Sequence, residues 1–116
     1  MASTRTRRQA ARVALEKREL FDGETAERLE ALFKVLANGS RLRMVHAIHR
    51  AGELSVNELA EIVGMSTQAV SNQLQRLADR GVLRARRNGA HVHYRIVDPC
   101  VPALMDRGVC LIEQQP

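Results

Sequence analysis

The sequence predicts a mainly helical domain closed by one small β-hairpin, and three observations carry that expectation. Apolar residues recur at helical spacing along most of the chain, Gly and Ser punctuate the segments, and the period drops to two only between Leu83 and Ile96. With 116 residues there is room for one core. One Tyr and two Phe leave that core short of bulk, so an oligomer interface is the natural supplement.

Each element has its own warrant. Residues 1–18 read as a basic arm, partly helical or disordered, with an amphipathic candidate from about Thr6 to Leu20 through Ala10, Val13, Ala14 and Leu20; residues 19–116 read as the domain. From Thr25 to Ala37, Leu29, Leu32, Phe33 and Leu36 fall at i, i+3, i+4 and i+7, one stripe on a helix. Residues 40–51 repeat the pattern with Leu42, Val45 and Ile48, and Asn38 or Ser40 can cap that helix. Ser55-Val-Asn-Glu58 spells a capping box, so a short helix runs to Val63. Gly64 permits a tight turn, and Ser66 caps a helix over 67–80 whose inward stripe is Val70, Leu74 and Leu77. After Gly81, Leu83 and Ala85 alternate with Arg84 and Arg86, and Val92, Tyr94 and Ile96 alternate with His91, His93 and Arg95. Asn88-Gly89 between them predicts a two-residue type I′ turn. A last helix begins near Asp98 and carries Val101, Leu104, Met105, Val109 and Ile112.

Charge narrows the function. The net +5 is unevenly spread: residues 1–18 carry +5, 19–75 carry −3, 76–95 carry +5 and 96–116 carry −2. Two basic zones around an acidic body suit a polyanion. The basic N-terminus is followed by Gln9, Arg12, Glu16 and Lys17 rather than an apolar run, which excludes a secretion signal, and no stretch reaches the roughly 18 apolar residues of a membrane span. Two cysteines cannot build a disulfide scaffold, and no base accompanies either as a nucleophile's partner would, so an enzyme is not expected. The expected location is the cytoplasm.

The two helices flanking Gly64 have helix-turn-helix proportions. The second presents Ser66, Thr67, Gln68, Ser71, Asn72, Gln75 and Arg76 outward, the side-chain types that read base edges and phosphates. A hairpin directly behind makes the pair a winged helix whose wing offers Arg86, Arg87, His91 and Arg95, while Arg5, Arg7 and Arg8 lie on the arm. The partner expected is double-stranded DNA with a two-fold operator.

Several runs carry a family likeness. Leu36-Ala-Asn-Gly-Ser-Arg-Leu-Arg-Met-Val45, Glu58-Leu-Ala-Glu-Ile-Val-Gly-Met-Ser66, Ala69-Val-Ser-Asn-Gln-Leu-Gln-Arg-Leu77 and Asn88-Gly-Ala-His-Val-His-Tyr-Arg-Ile96 resemble, in this order, the ArsR/SmtB family of winged-helix repressors. Asn38-Gly39-Ser40 stands where the family commonly has Asp-Pro-Thr. The resemblance implies a homodimer built from the N- and C-terminal helices, repression without ligand, and release of the operator when an inducer binds.

It also implies where an inducer would bind. Many members carry thiols in a Glu-Leu-Cys-Val-Cys motif; here the residues are Glu53-Leu-Ser-Val-Asn57, so that site is missing. A second family site pairs Asp-x-His with His-x-x-Glu across the dimer, and this chain has Asp98-x-Cys100 and Cys110-x-x-Glu113, one residue closer together than usual. Ten helical residues rise about 15 Å, so Cys100 and Cys110 of one chain do not meet, whereas antiparallel helices from two chains would pair them. Asp98, Cys100, Cys110 and Glu113 as mixed S/O donors suit Zn or Cd, with Ni, Co and arsenite left open. Three other readings stand beside this: cysteines that only pack, cysteines that sense thiol oxidation, and a weaker metal pair at His91 and His93, which share a strand face.

Overall fold

The computed structural model describes residues 12–115, in two compact units that divide between Glu30 and Ala31. In the first, Leu15–Lys17 form a single 3-10 turn, and helix α1 (Gly23–Leu36) starts behind Asp22, whose carboxylate accepts from the Thr25 amide at 2.7 Å. That amide holds the Asp22 carboxyl below its ordinary range. The helix predicted through Val13, Ala14 and Leu20 is not formed over residues 12–20 beyond that one turn. Leu20 is 97% exposed, and an apolar stripe left in solvent returns none of the packing energy on which a short helix depends. Arg5, Arg7, Arg8 and Ala10 of the arm lie outside the described residues.

The second unit holds the core. Helix α2 (Gly39–Ala51) begins at Asn38, whose side-chain oxygen accepts from the Arg41 amide at 3.0 Å, one of the two caps predicted. Its inward face is Met44, Val45 and Ile48, all fully buried. At 3.6 residues per turn that face leaves Leu42 at its margin, 37% exposed, rather than in the core stripe where the spacing had it. Strand β1 (Leu54–Ser55) leads into α3 (Val56–Val63), whose capping box is complete: Glu58 N–H donates to Ser55 Oγ at 3.1 Å and Ser55 N–H to Glu58 Oε1 at 2.9 Å.

Gly64, at φ 69 and ψ 33, turns the chain left-handed after α3, and Ser66 then caps α4 (Thr67–Asp79) by accepting from Ala69 N–H at 3.1 Å. A side chain at Gly64 would have to adopt the same disfavoured conformation. Val70, Leu74 and Leu77 of α4 are fully buried against Leu59 of α3 and the α2 face.

The hairpin is β2 (Leu83–Asn88) and β3 (His91–Ile96), and β1 adds a third strand the sequence did not announce, giving the order β1-β3-β2. Asn88 pairs with His91, so the two turn residues are Gly89 and Ala90, not Asn88 and Gly89. Only Gly89 has positive φ, at 65, which is the type II′ pattern rather than type I′. Register then puts Leu83, Ala85, Arg87, Val92, Tyr94 and Ile96 on one face of the sheet and Arg84, Arg86, Asn88, His91, His93 and Arg95 on the other. Helix α5 (Cys100–Glu113) lays Val101, Leu104 and Met105 on the core and leaves Val109, Leu111 and Ile112 exposed. No helix among the described residues is long and apolar enough to cross a membrane.

Candidate nucleic-acid interface and the C-terminal cysteines

The outer face of α4 is as the alternation of its stripe requires. Ser66, Thr67, Gln68, Asn72, Gln75 and Arg76 are exposed and Ser71 is half-buried, so six of the seven predicted reading residues present themselves to solvent. Two i,i+4 pairs order that face: Gln68 Nε2 donates to Asn72 Oδ1 at 3.2 Å, and Gln75 Nε2 donates to Asp79 Oδ1 at 2.8 Å. Gln73, half-buried on the side of the helix, accepts from Arg41 Nε, and the same guanidinium donates to the Val35 carbonyl at 3.0 Å. Arg41 thereby ties the reading helix to the end of α1. Sequence periodicity had no means of finding that contact, because Arg41 reads as one more surface cation on α2.

The wing divides its basic residues. Arg87 lies on the face of Val92 and Tyr94, near the tip, while Arg86 and Arg95 lie on the opposite face with Arg84, which the strand alternation places there although it was not among the expected DNA contacts. Arg84 sits directly across from Arg95, a like-charged pairing that disfavours the sheet by itself. Arg86 is already engaged: its Nε and Nη2 donate to Glu53 Oε1 and Oε2 at 3.0 and 2.6 Å. That two-pronged bond is the main reason the Glu53 carboxyl titrates below its ordinary range, with the charges of His93 and Arg95 adding to it, and it raises the Arg86 guanidinium in turn.

His91 and His93 share the polar face as predicted, with His91 exposed at the turn and His93 half-buried between Arg86 on one side and Ser55 on the other. Arginines as neighbours repel a cation. Among the described residues no three of His, Cys, Asp and Glu converge in a way that could hold a metal ion.

The same holds for the C-terminal quartet within one chain. Asp98 precedes α5 and accepts from the Cys100 amide at 2.8 Å, an Asx turn that leads into the helix behind Pro99. Cys100 is exposed on the first turn of α5; Cys110, half-buried, accepts from Gln114 Nε2 at 3.4 Å; Glu113 is exposed at the last turn. Both thiols are free of any disulfide. They lie on one helix, too far apart along its axis to share an ion, and the exposed Val109, Leu111 and Ile112 carry the apolar face of Val101, Leu104 and Met105 on beyond the core.

Comparison with known proteins gives a consistent picture. A model of the MarR family matches residues 38–91. The arsenic resistance transcriptional regulator ArsR1 of Pseudomonas putida is 41% identical over 75 residues, which span 65% of this chain and 58% of that protein's length. Among solved structures, the antimony-specific transcriptional repressor AntR is 55% identical, covering 90% of this chain and 94% of that one with a TM-score of 0.77. A homodimeric winged helix-turn-helix DNA-binding domain from Mycobacterium bovis, described as a possible ArsR-family regulator, is 30% identical over 82% of this chain and 89% of its own, with a TM-score of 0.70.

Proposed function

Because the chain belongs to the ArsR/SmtB family of winged-helix transcriptional repressors, we propose that it acts as a homodimer which holds a two-fold operator in the cytoplasm and releases it when a thiophilic ion binds Cys100 and Cys110. The observation that carries this reading is the placement of two thiols, neither in a disulfide, on a helix whose apolar stripe runs on exposed beyond the core. An antiparallel second copy of α5 would cover Val109, Leu111 and Ile112 and set one chain's Cys100 at the level of the other's Cys110. DNA is read by Ser66, Thr67, Gln68, Ser71, Asn72, Gln75 and Arg76 of α4 in the major groove, with Arg84, Arg87 and Arg95 of the wing on phosphates. The ion favours a dimer in which the two reading helices no longer match successive grooves, and the coupling is reciprocal, so operator DNA weakens ion binding by the same factor.

The donor set selects the ion. Two thiolates with two carboxylates would suit Zn or Cd. Asp98, however, has an oxygen committed to the Cys100 amide, which leaves the thiolates as the stronger donors and favours a trivalent metalloid such as antimonite or arsenite, in keeping with the specificities named for AntR and ArsR1. The test is a panel of antimonite, arsenite, Zn, Cd, Ni and Co added to reduced protein on a duplex selected from a random pool. Thiolate-to-ion absorption and DNA release are followed together. Antimonite or arsenite is expected to give both signals, and Cys100→Ser/Cys110→Ser to abolish both. Release by Zn or Cd alone would return the mixed S/O site; release by none, or release that survives the double substitution, would remove the cysteines from the switch.

A further inference from the structure

The Glu53–Arg86 pair stands in the middle of the surface that the proposed function assigns to phosphate. Sheet order makes the contact unusual: β1 and β2 are not neighbours, so the Glu53 side chain, just ahead of β1, reaches past β3 to take the Arg86 guanidinium on β2. Extending the β1–β3 register by one residue puts Glu53 level with Arg95, and Arg95 faces Arg84. The carboxylate thus feels Arg86, His93 and Arg95, and it meets the Arg86 guanidinium with the two-pronged geometry that a phosphate would use. Both partners remain open to water, with side chains 52% and 30% exposed, so an incoming phosphate can contest the bond.

We infer that Glu53 is an internal phosphate mimic at the DNA interface, which occupies Arg86 and withholds one cation from sequence-independent binding. Phosphate contacts raise affinity for every duplex alike, whereas base contacts raise it for the operator only. Holding one wing arginine in an internal pair therefore lowers the non-specific background while leaving the α4 contacts intact. The carboxylate is kept ionised by the cations around it, so the mask persists throughout the neutral range.

The inference rests on DNA binding by this wing, and its test separates the two. Binding of the full-length dimer to its selected duplex and to a scrambled duplex is measured against salt for the wild type, Glu53→Gln, Arg86→Ala and the double variant, with thermal melts to confirm folding. Glu53→Gln is expected to tighten the scrambled duplex several-fold near 0.1 M salt and to steepen its salt dependence by about one phosphate contact. The selected duplex gains by the same factor, so both affinities rise and their ratio is unchanged. In the Arg86→Ala background the same substitution is expected to change nothing, which distinguishes release of Arg86 from a general loss of negative charge. Unchanged scrambled-duplex affinity in a folded Glu53→Gln protein, or an equal gain with and without Arg86, would overturn the inference. Failure of the wild type to bind any duplex in a salt-dependent way would instead overturn the DNA-binding reading.

Discussion

At the scale of single residues, the caps do what their spacing implies because a cap is a local bond. Asn38, Ser55 and Ser66 each accept the amide three residues on, and Asp22 does the same at the start of α1. Glu58 has a further consequence. Its carboxyl is held below 4.5 chiefly by the Ser55 backbone amide, then by the Ser55 hydroxyl, with His93 adding to it. A carboxyl depressed in the folded state contributes stability above its unfolded pKa and loses it as pH falls through the folded one. Thermal melts of Glu58→Gln against wild type will therefore show a gap at pH 7 that begins to close near pH 4.5 and vanishes in stronger acid. A gap that is constant with pH would mean that the carboxylate charge contributes nothing to the box.

At the scale of elements, the hairpin shows where local pattern misleads. Asn-Gly is the strongest two-residue turn signal, yet register places Asn88 inside β2 and turns the chain at Gly89-Ala90. The side chains decide this: with Asn88 opposite His91, Tyr94 falls opposite Ala85 and Ile96 opposite Leu83 on the face that meets the core, and Tyr94 and Leu83 are both buried. A slip of one residue would carry that apolar set to the solvent face. The two turns make different predictions. Gly89→Ala places a side chain at φ 65 and will cost about 1 kcal/mol or more. Asn88→Ala will be nearly neutral, within roughly 0.5 kcal/mol, because an exposed strand position makes no demand for positive φ. Urea melts of the two variants decide it, and equal, large losses would restore the Asn-Gly turn.

At the scale of the whole molecule, α5 is the element with most apolar surface still in water. Ile112 is 66% exposed and Leu111 65%, two turns beyond Met105 and Leu104 on the same face of the helix, where it runs past the core. Burial by a second copy makes stability depend on protein concentration. Ile112→Glu is accordingly expected to lower the dimer fraction in sedimentation and to remove the concentration dependence of the melting midpoint, with the monomer's secondary structure retained. A dimer that tolerates this charge would place the interface elsewhere. What the sequence by itself determined was most of what is settled within a few residues: the helices from Gly23 onward, their caps, the turn at Gly64 and the outward polar face of α4, because period and capping depend on near neighbours. The family resemblance, rather than local physics, singled out Cys100 and Cys110. Only the tertiary structure decided which cations are available. The charge count assigned Glu53 to an acidic body and Arg86 to a basic wing, 33 residues apart, and the order β1-β3-β2 brings the two into one bond. Electrostatic energy depends on distance in space, and strand order, which no stretch of sequence spells out, sets that distance.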